Sequence, residues 1–378
     1  MSIPSVKALP FVDLAHQQDL IRPEVMARIE KVLNHGQYIL GPEIAELEKA
    51  LADFVEVEHC ISCSSGTDAL LMAMMALGIG AGDEVITTPF TFFATGEMIE
   101  LLGAQAVFAD IDPKTYNIDP KQIEKLIGPK TKAIVPVSLY GQCADFKEIS
   151  EIAARHKIEV IEDAAQSFGG EYFGKKSCAL SRISCTSFFP AKPLGGYGDS
   201  GACFTTDADL AKALLEIRNH GQSKRYVHTR LGINGRMDTL QAAILLAKLE
   251  IFSGELDLRD QVAKKFSKIL NEKLGEKIQL PFIKSHNRSA WAQFTIEVSN
   301  RTQVMERLTQ LGIPTAVHYP VTLPRQPLFQ KYFDKENAPH FPVAEKASER
   351  VMSLPMHPYL SEADMNRIAD GLAAALRA

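Results

Sequence analysis

Short apolar runs of strand length alternate with helical patterns along the first half of the chain, and this alternation restricts the fold more than any other feature. The predicted strands are His59–Ser64, Glu84–Thr88, Ala104–Ala109, Ala133–Ser138 and Glu159–Ile161. Apolar residues at helical spacing predict helices over Pro42–Val55, Gly66–Leu77, Glu97–Leu102 and Phe146–His156. Short apolar strands separated by helices are typical of a mainly parallel sheet covered on both faces. The first half therefore predicts an α/β fold with a mainly parallel, mixed sheet flanked by helices.

The pattern changes in the second half. Two closely spaced strands, Ser184–Phe189 and Gly201–Thr205, precede the predicted helices Ala208–Asn219, Asp238–Ile251 and Asp257–Leu274. A strand at Phe294–Val298 and helices at Gln303–Leu311 and Glu362–Leu376 follow. A length of 378 residues suits roughly two domains of about 100–200 residues each. We expect a large α/β domain over residues 1–256 and a smaller C-terminal α+β domain over residues 257–378.

Charge and composition argue against several classes of protein. The net charge is −5 and no run of Lys and Arg occurs, so nucleic-acid binding has no electrostatic support. No apolar run approaches the ~20 residues of a membrane helix, and Met1–Pro10 lacks the pattern of a secretory signal. Cys60 and Cys63 form a CxxC pair without a second ligand pair, so we expect buried thiols and no metal site. These features predict a cytoplasmic protein without membrane contact.

Five stretches carry the candidate chemistry, and the first is Ser64–Leu70. A predicted strand ends here, and a helix begins at Gly66 with hydroxyl residues in its first turn. The free N–H groups and the positive dipole end of a helix N-terminus suit a phosphate. The alternative is an ordinary helix cap, which is the commoner use of Ser and Thr at such positions.

The second and third stretches follow predicted strands. Thr88–Thr95 is rich in Phe, and its aromatic rings could lie over a flat ligand or simply pack in the core. Val160–Gln166 is an apolar run that ends in Glu162 and Asp163. Open α/β sheets bind ligands at the carboxyl ends of their strands. A carboxylate at that edge could bond a protonated ring nitrogen, or it could cap the following turn.

The fourth stretch, Thr186–Gly201, contains a lysine between two prolines, Lys192, in an apolar and Gly-rich loop. An amine in a partly apolar site has a lowered pKa and can act as a nucleophile. The alternative is an exposed loop lysine. The fifth stretch, Leu231–Asp238, places Asn234 and Arg236 on a tight loop before a helix, where they could contact an anion or merely start the helix.

In this order the five stretches resemble the DegT/StrS family of pyridoxal-phosphate-dependent sugar aminotransferases, which have the fold-type I architecture. The motifs that carry the resemblance are SGTDAL at 65–70, EDAAQ at 162–166 and SFFPAKPLG at 187–195, and it extends from about Phe11 to the C-terminus. It implies that Lys192 holds pyridoxal 5′-phosphate covalently and that Asp163 pairs with its ring nitrogen. The other implied cofactor contacts are Gln166 at the ring hydroxyl, Phe92 on the ring face, Gly66, Thr67 and Ser187 at the phosphate, and Asn234 at the phosphate from a neighbouring subunit. The resemblance thus implies a homodimer with shared sites, with glutamate as amino donor and Lys192 as proton carrier.

Four further segments are similar to the members of this family that act on a UDP-linked 3-oxo-uronate: His35–Pro42, Val137–Asp145, Thr315–Pro320 and Met352–Leu360. The product would be an amino-uronate for surface polysaccharide synthesis. A planar carboxylate favours Arg, so Arg236 is the first candidate for the uronate. His318 and Tyr319 are further candidates, with a structural turn before Pro320 as the alternative. Tyr38 could face the nucleotide or anchor the N-terminal segment.

The residues leave one alternative substrate class open and argue against two other functions. Another UDP- or dTDP-linked keto sugar could be the substrate. The sugar dehydratases of the same family are expected to carry His where Lys192 stands. A non-enzymatic regulator would be expected to show a DNA-binding module or a basic patch, which this sequence lacks.

Overall fold

The computed structural model describes residues 8–332 and 339–377. Residues 1–7, which belong to the segment examined for a secretory signal, lie outside the described residues. The helices are, in chain order, α1 (Leu14–His35), α2 (Pro42–Val55), α3 (Gly66–Ala76), α4 (Phe93–Leu101), α5 (Pro120–Ile123), α6 (Phe146–His156), α7 (Ala208–Arg218), α8 (Thr239–Leu274), α9 (Arg301–Gln310), α10 (Pro342–Arg350) and α11 (Glu362–Arg377). The strands are β1 (His59–Cys63), β2 (Glu84–Thr87), β3 (Gln105–Phe108), β4 (Thr131–Val135), β5 (Glu159–Asp163), β6 (Glu171–Tyr172), β7 (Lys175–Lys176), β8 (Ile183–Ser187), β9 (Gly201–Thr205), β10 (Gln222–Lys224), β11 (Val227–His228), β12 (Asn287–Arg288), β13 (Phe294–Glu297) and β14 (Val351–Leu354).

A seven-stranded sheet forms the centre, with the strand order β1-β9-β8-β5-β4-β2-β3. Strands β3, β2, β4, β5 and β8 pair in parallel, and β9 runs antiparallel to both β8 and β1. The predicted mainly parallel, mixed sheet is therefore confirmed. Because six of the strands share one direction, the ends of β1, β2, β5 and β8 and the start of β9 meet at one edge. The functional stretches of the sequence follow these ends.

Helices cover the sheet according to their apolar pattern. Helix α3 is apolar nearly all round, and its residues 69–74 are all buried, as expected for a helix packed between other elements. Helix α6 has a single apolar face, on which Phe146, Ile149 and Ile152 are buried while the opposite face is polar. The buried position of α3 keeps its N-terminus fixed at the sheet edge.

Helix α8 corrects one expectation. The sequence predicts two helices with a break near Leu256, but Thr239–Leu274 is one continuous helix. Gly254 is exposed within it, and a single exposed glycine costs a helix only about 1 kcal/mol relative to Ala. Phe252 and Leu256 are buried on one side of that position and Val262 and Phe266 on the other, so packing maintains the helix across it.

The same helix joins two separate hydrophobic cores. Phe252 and Leu256 pack in the core of the large sheet, whereas Val262 and Phe266 pack in a second core with Phe294. Strands β13 and β14 form an antiparallel pair in this second core, and α9 and α11 supply buried residues to it. We propose that the change of core between Leu256 and Val262 marks the boundary between the two domains.

No helix within residues 8–332 and 339–377 is long and apolar enough to cross a membrane. All six cysteines are free, buried thiols. Cys60 and Cys63 belong to different hydrophobic clusters. The described part of the chain contains no group of three His, Cys, Asp or Glu side chains that could hold a metal ion.

Candidate active site

A cavity of about 480 Å³ opens at the carboxyl edge of the central sheet. Its size falls within the usual range of about 300–1,000 Å³ for small-molecule sites. Nine of the twelve predicted site residues line it: Gly66, Thr67, Phe92, Asp163, Gln166, Ser187, Lys192, His318 and Tyr319. The structure thus brings together residues that lie up to 253 positions apart (from Gly66 to Tyr319).

The start of helix α3 forms one end of the cavity. Ser65 caps the helix by accepting from the N–H of Asp68 at 3.0 Å, while the N–H groups of Gly66 and Thr67 belong to the first turn and have no intrahelical acceptor. A Cβ atom on Gly66 would lie 2.5 Å from Cβ of Ser187, so only glycine lets β8 approach this closely. This close approach places the Ser187 hydroxyl beside the N-terminus of α3. Such an arrangement suits a phosphate group.

Asp163 ends β5 and is buried in the cavity wall. Its Oδ2 accepts from the Thr95 hydroxyl at 2.8 Å, and its Oδ1 accepts from the N–H of Ala165 at 3.1 Å. Burial raises the pKa of this carboxyl, and the hydrogen bonds and the nearby charge of Lys192 oppose that rise. Among the described residues it forms no ion pair within 4 Å, so a cationic ligand atom would relieve the cost of its burial.

The neighbouring acid, Glu162, has a different role because successive strand residues point to opposite faces. Its carboxylate accepts from the hydroxyls of Ser177 at 2.8 Å and Ser184 at 3.0 Å, and from the N–H of Cys178 at 3.0 Å. These bonds hold the turn that precedes β8. Of the two acids, Asp163 alone lines the cavity.

Lys192 lies on a tight loop between β8 and β9. The loop is closed by hydrogen bonds from the N–H of Lys192 to the carbonyl of Phe189 and from the N–H of Gly196 to the carbonyl of Phe188, each 2.8 Å long. A Cβ on Gly195 would lie 2.5 Å from the carbonyl oxygen of Pro190, so the loop requires glycine there. Desolvation lowers the pKa of the Lys192 amine to about 8, partly offset by the negative charge of Asp163. The amine is therefore a better nucleophile and proton acceptor than an exposed lysine.

Aromatic side chains close the opposite wall. Phe92 lines the cavity and is 57% exposed, and its ring centroid lies 6.1 Å from that of Tyr319. The Tyr319 hydroxyl accepts from Nε2 of Gln166 at 3.1 Å, and Oε1 of Gln166 accepts from the N–H of Tyr140 at 2.9 Å. A flat ligand ring would fit beside Phe92.

His318 comes from the C-terminal half of the chain. Its Nδ1 lies 2.8 Å from the Ser353 hydroxyl. Burial, together with the charge of Lys192, lowers the pKa of His318 to about 4. The ring is consequently neutral at physiological pH.

The remaining three predicted residues do not line the cavity of their own chain. Asn234 is exposed on the loop before α8. Arg236 donates from Nη1 to Oδ1 of Asn219 at 2.7 Å. Tyr38 is 47% exposed, and its carbonyl accepts from the N–H of Thr239 at 2.9 Å.

Thr95 and Gln293 are two of the polar cavity residues to which the sequence analysis assigned no role. Thr95 lies inside the stretch chosen for its aromatic rings, yet it supplies the hydroxyl that binds Asp163. No local pattern marks this contact, because Asp163 lies 68 positions further along the chain. Gln293 also lines the cavity, and its Oε1 is buried without a partner among the described residues; no local pattern distinguishes it.

Comparison with known proteins gives a consistent result over nearly the whole chain. The sequence model of the DegT/DnrJ/EryC1/StrS aminotransferase family matches residues 19–373. The UDP-2-acetamido-2-deoxy-3-oxo-D-glucuronate aminotransferase of Pseudomonas aeruginosa is 55% identical, over 96% of this chain and 99% of that protein.

Solved structures agree with the fold. The crystal structure of a DegT DnrJ EryC1 StrS aminotransferase from Brucella abortus has 43% identity and a TM-score of 0.92, covering 97% of this chain and 99% of that one. The structure of NtdA from Bacillus subtilis with bound cofactor PMP has 31% identity and a TM-score of 0.87, covering 100% of this chain and 86% of that one. The predicted fold-type I architecture is confirmed.

Proposed function

The chain belongs to the DegT/DnrJ/EryC1/StrS aminotransferase family, and on this premise we propose that it transfers an amino group from glutamate to UDP-2-acetamido-2-deoxy-3-oxo-D-glucuronate. The observation that carries the proposal is the 55% identity, over 96% of the chain, to the Pseudomonas aeruginosa enzyme of that name. The 3-amino-uronate product would serve the synthesis of surface polysaccharide.

Enzymes of this family use pyridoxal 5′-phosphate, and three features of the cavity fit that cofactor. A helix N-terminus with a hydroxyl beside it suits the phosphate. A buried carboxylate without an ion pair within 4 Å among the described residues suits a protonated ring nitrogen. An amine with its pKa lowered to about 8 suits covalent attachment.

We assign the cofactor contacts accordingly. Gly66, Thr67 and Ser187 hold the phosphate, and Phe92 lies against the ring. Asp163 binds the ring nitrogen and Gln166 the ring hydroxyl. Lys192 is the point of covalent attachment.

The bound cofactor supplies an electron sink for the carbon that carries the amino group. Asp163 keeps the ring nitrogen protonated, because a nearby negative charge that also accepts a hydrogen bond favours the cationic form. Nζ of Lys192 takes the proton from the amine-bearing carbon of the donor and returns a proton to the sugar carbon in the second half of the cycle. With a pKa near 8, this amine exchanges protons readily close to neutral pH.

Recognition of the uronate is assigned to Arg236. Its guanidinium is oriented by the bond to Asn219, and a planar fork of N–H donors matches a carboxylate. Arg236 and Asn234 lie outside the cavity of their own chain, which supports the proposal that both act in the site of a second subunit in a homodimer. Tyr38 is assigned to the nucleotide, and His318 and Tyr319 to the sugar. The free, buried thiols of all six cysteines fit the reducing cytoplasm as the proposed location.

The test is turnover of a substrate panel by the purified holoenzyme. UDP- and dTDP-linked 3-keto sugars, each with and without the carboxylate, are mixed with L-glutamate, and release of 2-oxoglutarate and the mass of the amino sugar are measured. We expect the UDP-linked uronate to be preferred over its neutral counterpart by at least about tenfold in kcat/KM, since a site built for a polar group rejects the analogue that lacks it. Arg236→Met should remove this preference, and Arg236→Lys should keep part of it.

Preference for a neutral or dTDP-linked sugar would replace the proposed substrate by another nucleotide-linked keto sugar. Turnover that survives Lys192→Ala would overturn the proposed mechanism.

A further inference from the structure

The loop that carries Lys192 is closed by a turn of glycines at residues 195–198, called here the glycine turn. A Cβ on Gly196 would lie 2.8 Å from Oε1 of Gln241, and a Cβ on Gly198 would lie 2.8 Å from its Nε2. A side chain at either position would displace the Gln241 carboxamide. The two glycines therefore leave room for this carboxamide directly against the turn.

Gln241 also binds the turn by a hydrogen bond. Its Oε1 accepts from the N–H of Tyr197 at 2.9 Å, and Tyr197 lies between the two glycines. Gln241 belongs to the first turn of α8, where its own N–H donates to the carbonyl of Asp238 at 3.0 Å. The carboxamide thus joins the glycine turn to a helix of 36 residues.

Lys248 contacts the ring of the same tyrosine. It lies about two helical turns after Gln241 and therefore on the same side of α8. Its Nζ lies 4.6 Å from the centroid of the Tyr197 ring. Helix α8 consequently holds Tyr197 at two points, the backbone N–H and the ring.

The burial of Lys248 is unusual for a lysine. Its exposed fraction is 1%, and it forms no ion pair within 4 Å among the described residues. Desolvation lowers the pKa of its amine to about 8, against the opposing charge of Glu255, so the amine stays mostly cationic near neutral pH. A buried cation without a carboxylate costs stability, and its attraction to the face of the Tyr197 ring offsets part of that cost.

The connection from the glycine turn back to Lys192 is short and consists of backbone. A Cβ on Gly195 would lie 2.7 Å from the carbonyl oxygen of Phe189 and 2.5 Å from that of Pro190. The same carbonyl of Phe189 accepts from the N–H of Lys192 at 2.8 Å. Since close-packed groups transmit displacements to their neighbours, a shift of the turn also shifts Lys192.

We propose that Gln241 and Lys248 are positioning residues for Lys192: by holding the backbone and the ring of Tyr197 they fix the glycine turn, and the turn keeps Nζ of Lys192 in its place in the cavity. The proposal rests on the proposed function, because it concerns the amine assigned to covalent attachment of the cofactor. Neither Gln241 nor Lys248 lines the cavity, so both act through the loop.

Attachment of pyridoxal 5′-phosphate to the apoenzyme separates positioning from binding. In stopped-flow experiments at rising cofactor concentration, saturation gives the Kd of the first, non-covalent complex and the plateau gives the rate of covalent attachment. For Gln241→Met, which removes the acceptor and nearly keeps the volume, we expect the plateau rate to fall about tenfold or more, because a displaced amine loses its productive geometry. The Kd should be unchanged, since the phosphate contacts belong to α3 and β8.

Gln241→Glu is the conservative variant. A carboxylate oxygen can still accept from the N–H of Tyr197, and an acid in the first turn of a helix is favourable. Its plateau rate should therefore stay near the wild-type value. A loss in Gln241→Glu as large as that in Gln241→Met would count against the hydrogen bond as the cause.

Lys248→Met separates positioning from stability. We expect the free energy of unfolding to be unchanged or higher, because the variant no longer buries a charge without a carboxylate. The plateau rate should nevertheless fall about threefold or more, because the ring of Tyr197 loses the attraction that holds it. A wild-type plateau rate in Lys248→Met would remove Lys248 from the proposal.

Thr205→Val is the matched control. Thr205 ends β9, the strand that follows the glycine turn, and its hydroxyl accepts from the N–H of Asp207 at 3.0 Å and donates to the carbonyl of Arg182 at 2.7 Å. It does not line the cavity. This variant should lose stability and keep the wild-type plateau rate. An unchanged plateau rate in Gln241→Met, or an equal fall in Thr205→Val, would overturn the proposal.

Amide hydrogen exchange of the holoenzyme lets the two proposals fail separately. It reports on residues 188–198 without turnover, and we expect faster exchange there in Gln241→Met than in the wild type or Gln241→Glu. Faster exchange with slower attachment, in an enzyme that aminates no keto sugar, would reject the proposed function alone. Unchanged exchange and attachment in Gln241→Met, in an enzyme that aminates the uronate, would reject this inference alone.

Discussion

The hydroxyl of Thr95 donates to Oδ2 of Asp163 at 2.8 Å and so links the first turn of α4 to the end of β5. The N–H of Ala165 donates to the other carboxylate oxygen at 3.1 Å. Both donors orient the carboxylate and favour its ionised form, but neither carries the positive charge that would neutralise it. The carboxylate therefore keeps its orientation and its negative charge for a cationic atom in the cavity.

Replacement of Thr95 by Val removes this donor and keeps the volume of the side chain. We expect the free energy of unfolding to fall by about 1–3 kcal/mol, because a buried acceptor loses a partner. We also expect kcat to fall about tenfold or more, because a catalytic group that loses its support shifts from its productive position. Denaturant unfolding and steady-state turnover measure the two effects.

Thr87→Val is the control for this change. Thr87 is fully buried, and its hydroxyl donates to the carbonyl of Val135 at 2.8 Å, so the substitution removes a similar bond without touching Asp163. It should lower the stability by a comparable amount and leave kcat near the wild-type value. An equal loss of kcat in both variants would show that Thr95 has no orienting role.

The lowered pKa of Lys192 predicts how fast the apoenzyme takes up pyridoxal 5′-phosphate at each pH. Only the neutral amine can attack, and desolvation lowers its pKa to about 8. The rate of covalent attachment should therefore rise with pH up to about 8 and be constant above it, whereas an exposed lysine would show a rise up to about 10. Stopped-flow absorbance of the attached cofactor measures this profile. A range of about pH 6.5 to 9.5 spans the pKa of about 8.

The variant Asp163→Asn tests the direction in which the charge of Asp163 shifts the pKa of Lys192. The charge of Asp163 raises the pKa of Lys192 against the effect of burial, so its removal should move the inflection to lower pH. A shift to higher pH, or none, would contradict the coupling between the two side chains.

Gly66 is expected to be essential for cofactor affinity. A methyl group at this position would lie 2.5 Å from Cβ of Ser187, so Gly66→Ala must separate the start of α3 from the end of β8. We expect the Kd for pyridoxal 5′-phosphate to rise about tenfold or more, because the phosphate loses part of its set of charge-assisted hydrogen bonds. Equilibrium titration of the apoenzyme measures this change.

Gly254→Ala is the matched control. Gly254 lies exposed in α8, and a Cβ there would meet nothing within 4 Å. This variant should gain roughly 0.5–1 kcal/mol of stability, with an unchanged Kd for the cofactor. If Gly66→Ala binds the cofactor as tightly as Gly254→Ala, the assignment of the helix N-terminus to the phosphate is wrong.

The central sheet could be predicted because its strands are short, apolar and separated by clear turn residues. The strand Gly201–Thr205 and the helices Pro42–Val55 and Phe146–His156 have the predicted bounds. Helix α1 was not predicted, since exposed apolar residues such as Leu20 and Leu33 obscure the stripe of buried residues that includes Ile21, Val25 and Val32. The break predicted near Leu256 was wrong because two hydrophobic cores hold α8 together through an exposed glycine.

Some residues of the candidate site could be predicted from local sequence patterns, and others could not. Lys192 and Asp163 stand in local patterns that indicate their chemistry: a lysine in a Pro- and Gly-rich loop, and an acid at a strand end. The role of Thr95 depends on a contact between elements distant in sequence, because 68 positions separate it from Asp163. No local pattern encodes such a contact.

Asn234 lies on a loop that is held against its own chain from two sides. The N–H of Gly235 donates to the carbonyl of Arg218, and the carbonyl of Gly235 accepts from the N–H of Ser64, each at 3.0 Å. The Asn234 side chain is exposed and does not line the cavity of its own chain. If it holds the cofactor phosphate, it must do so in a second subunit.

A heterodimer of two damaged chains tests this prediction. Asn234→Asp, which places a negative charge at the phosphate, and Lys192→Ala are co-expressed with different tags and purified as the mixed dimer. Each variant alone should have very little activity. Sharing across the interface leaves the mixed dimer with one cavity that carries both changes and one that carries neither, so about half of the wild-type turnover should return. Lys192→Ala with Asp163→Asn is the control, because both residues line one cavity of the same chain and cannot complement each other. Absence of recovery with Asn234→Asp would place Asn234 outside the partner's site.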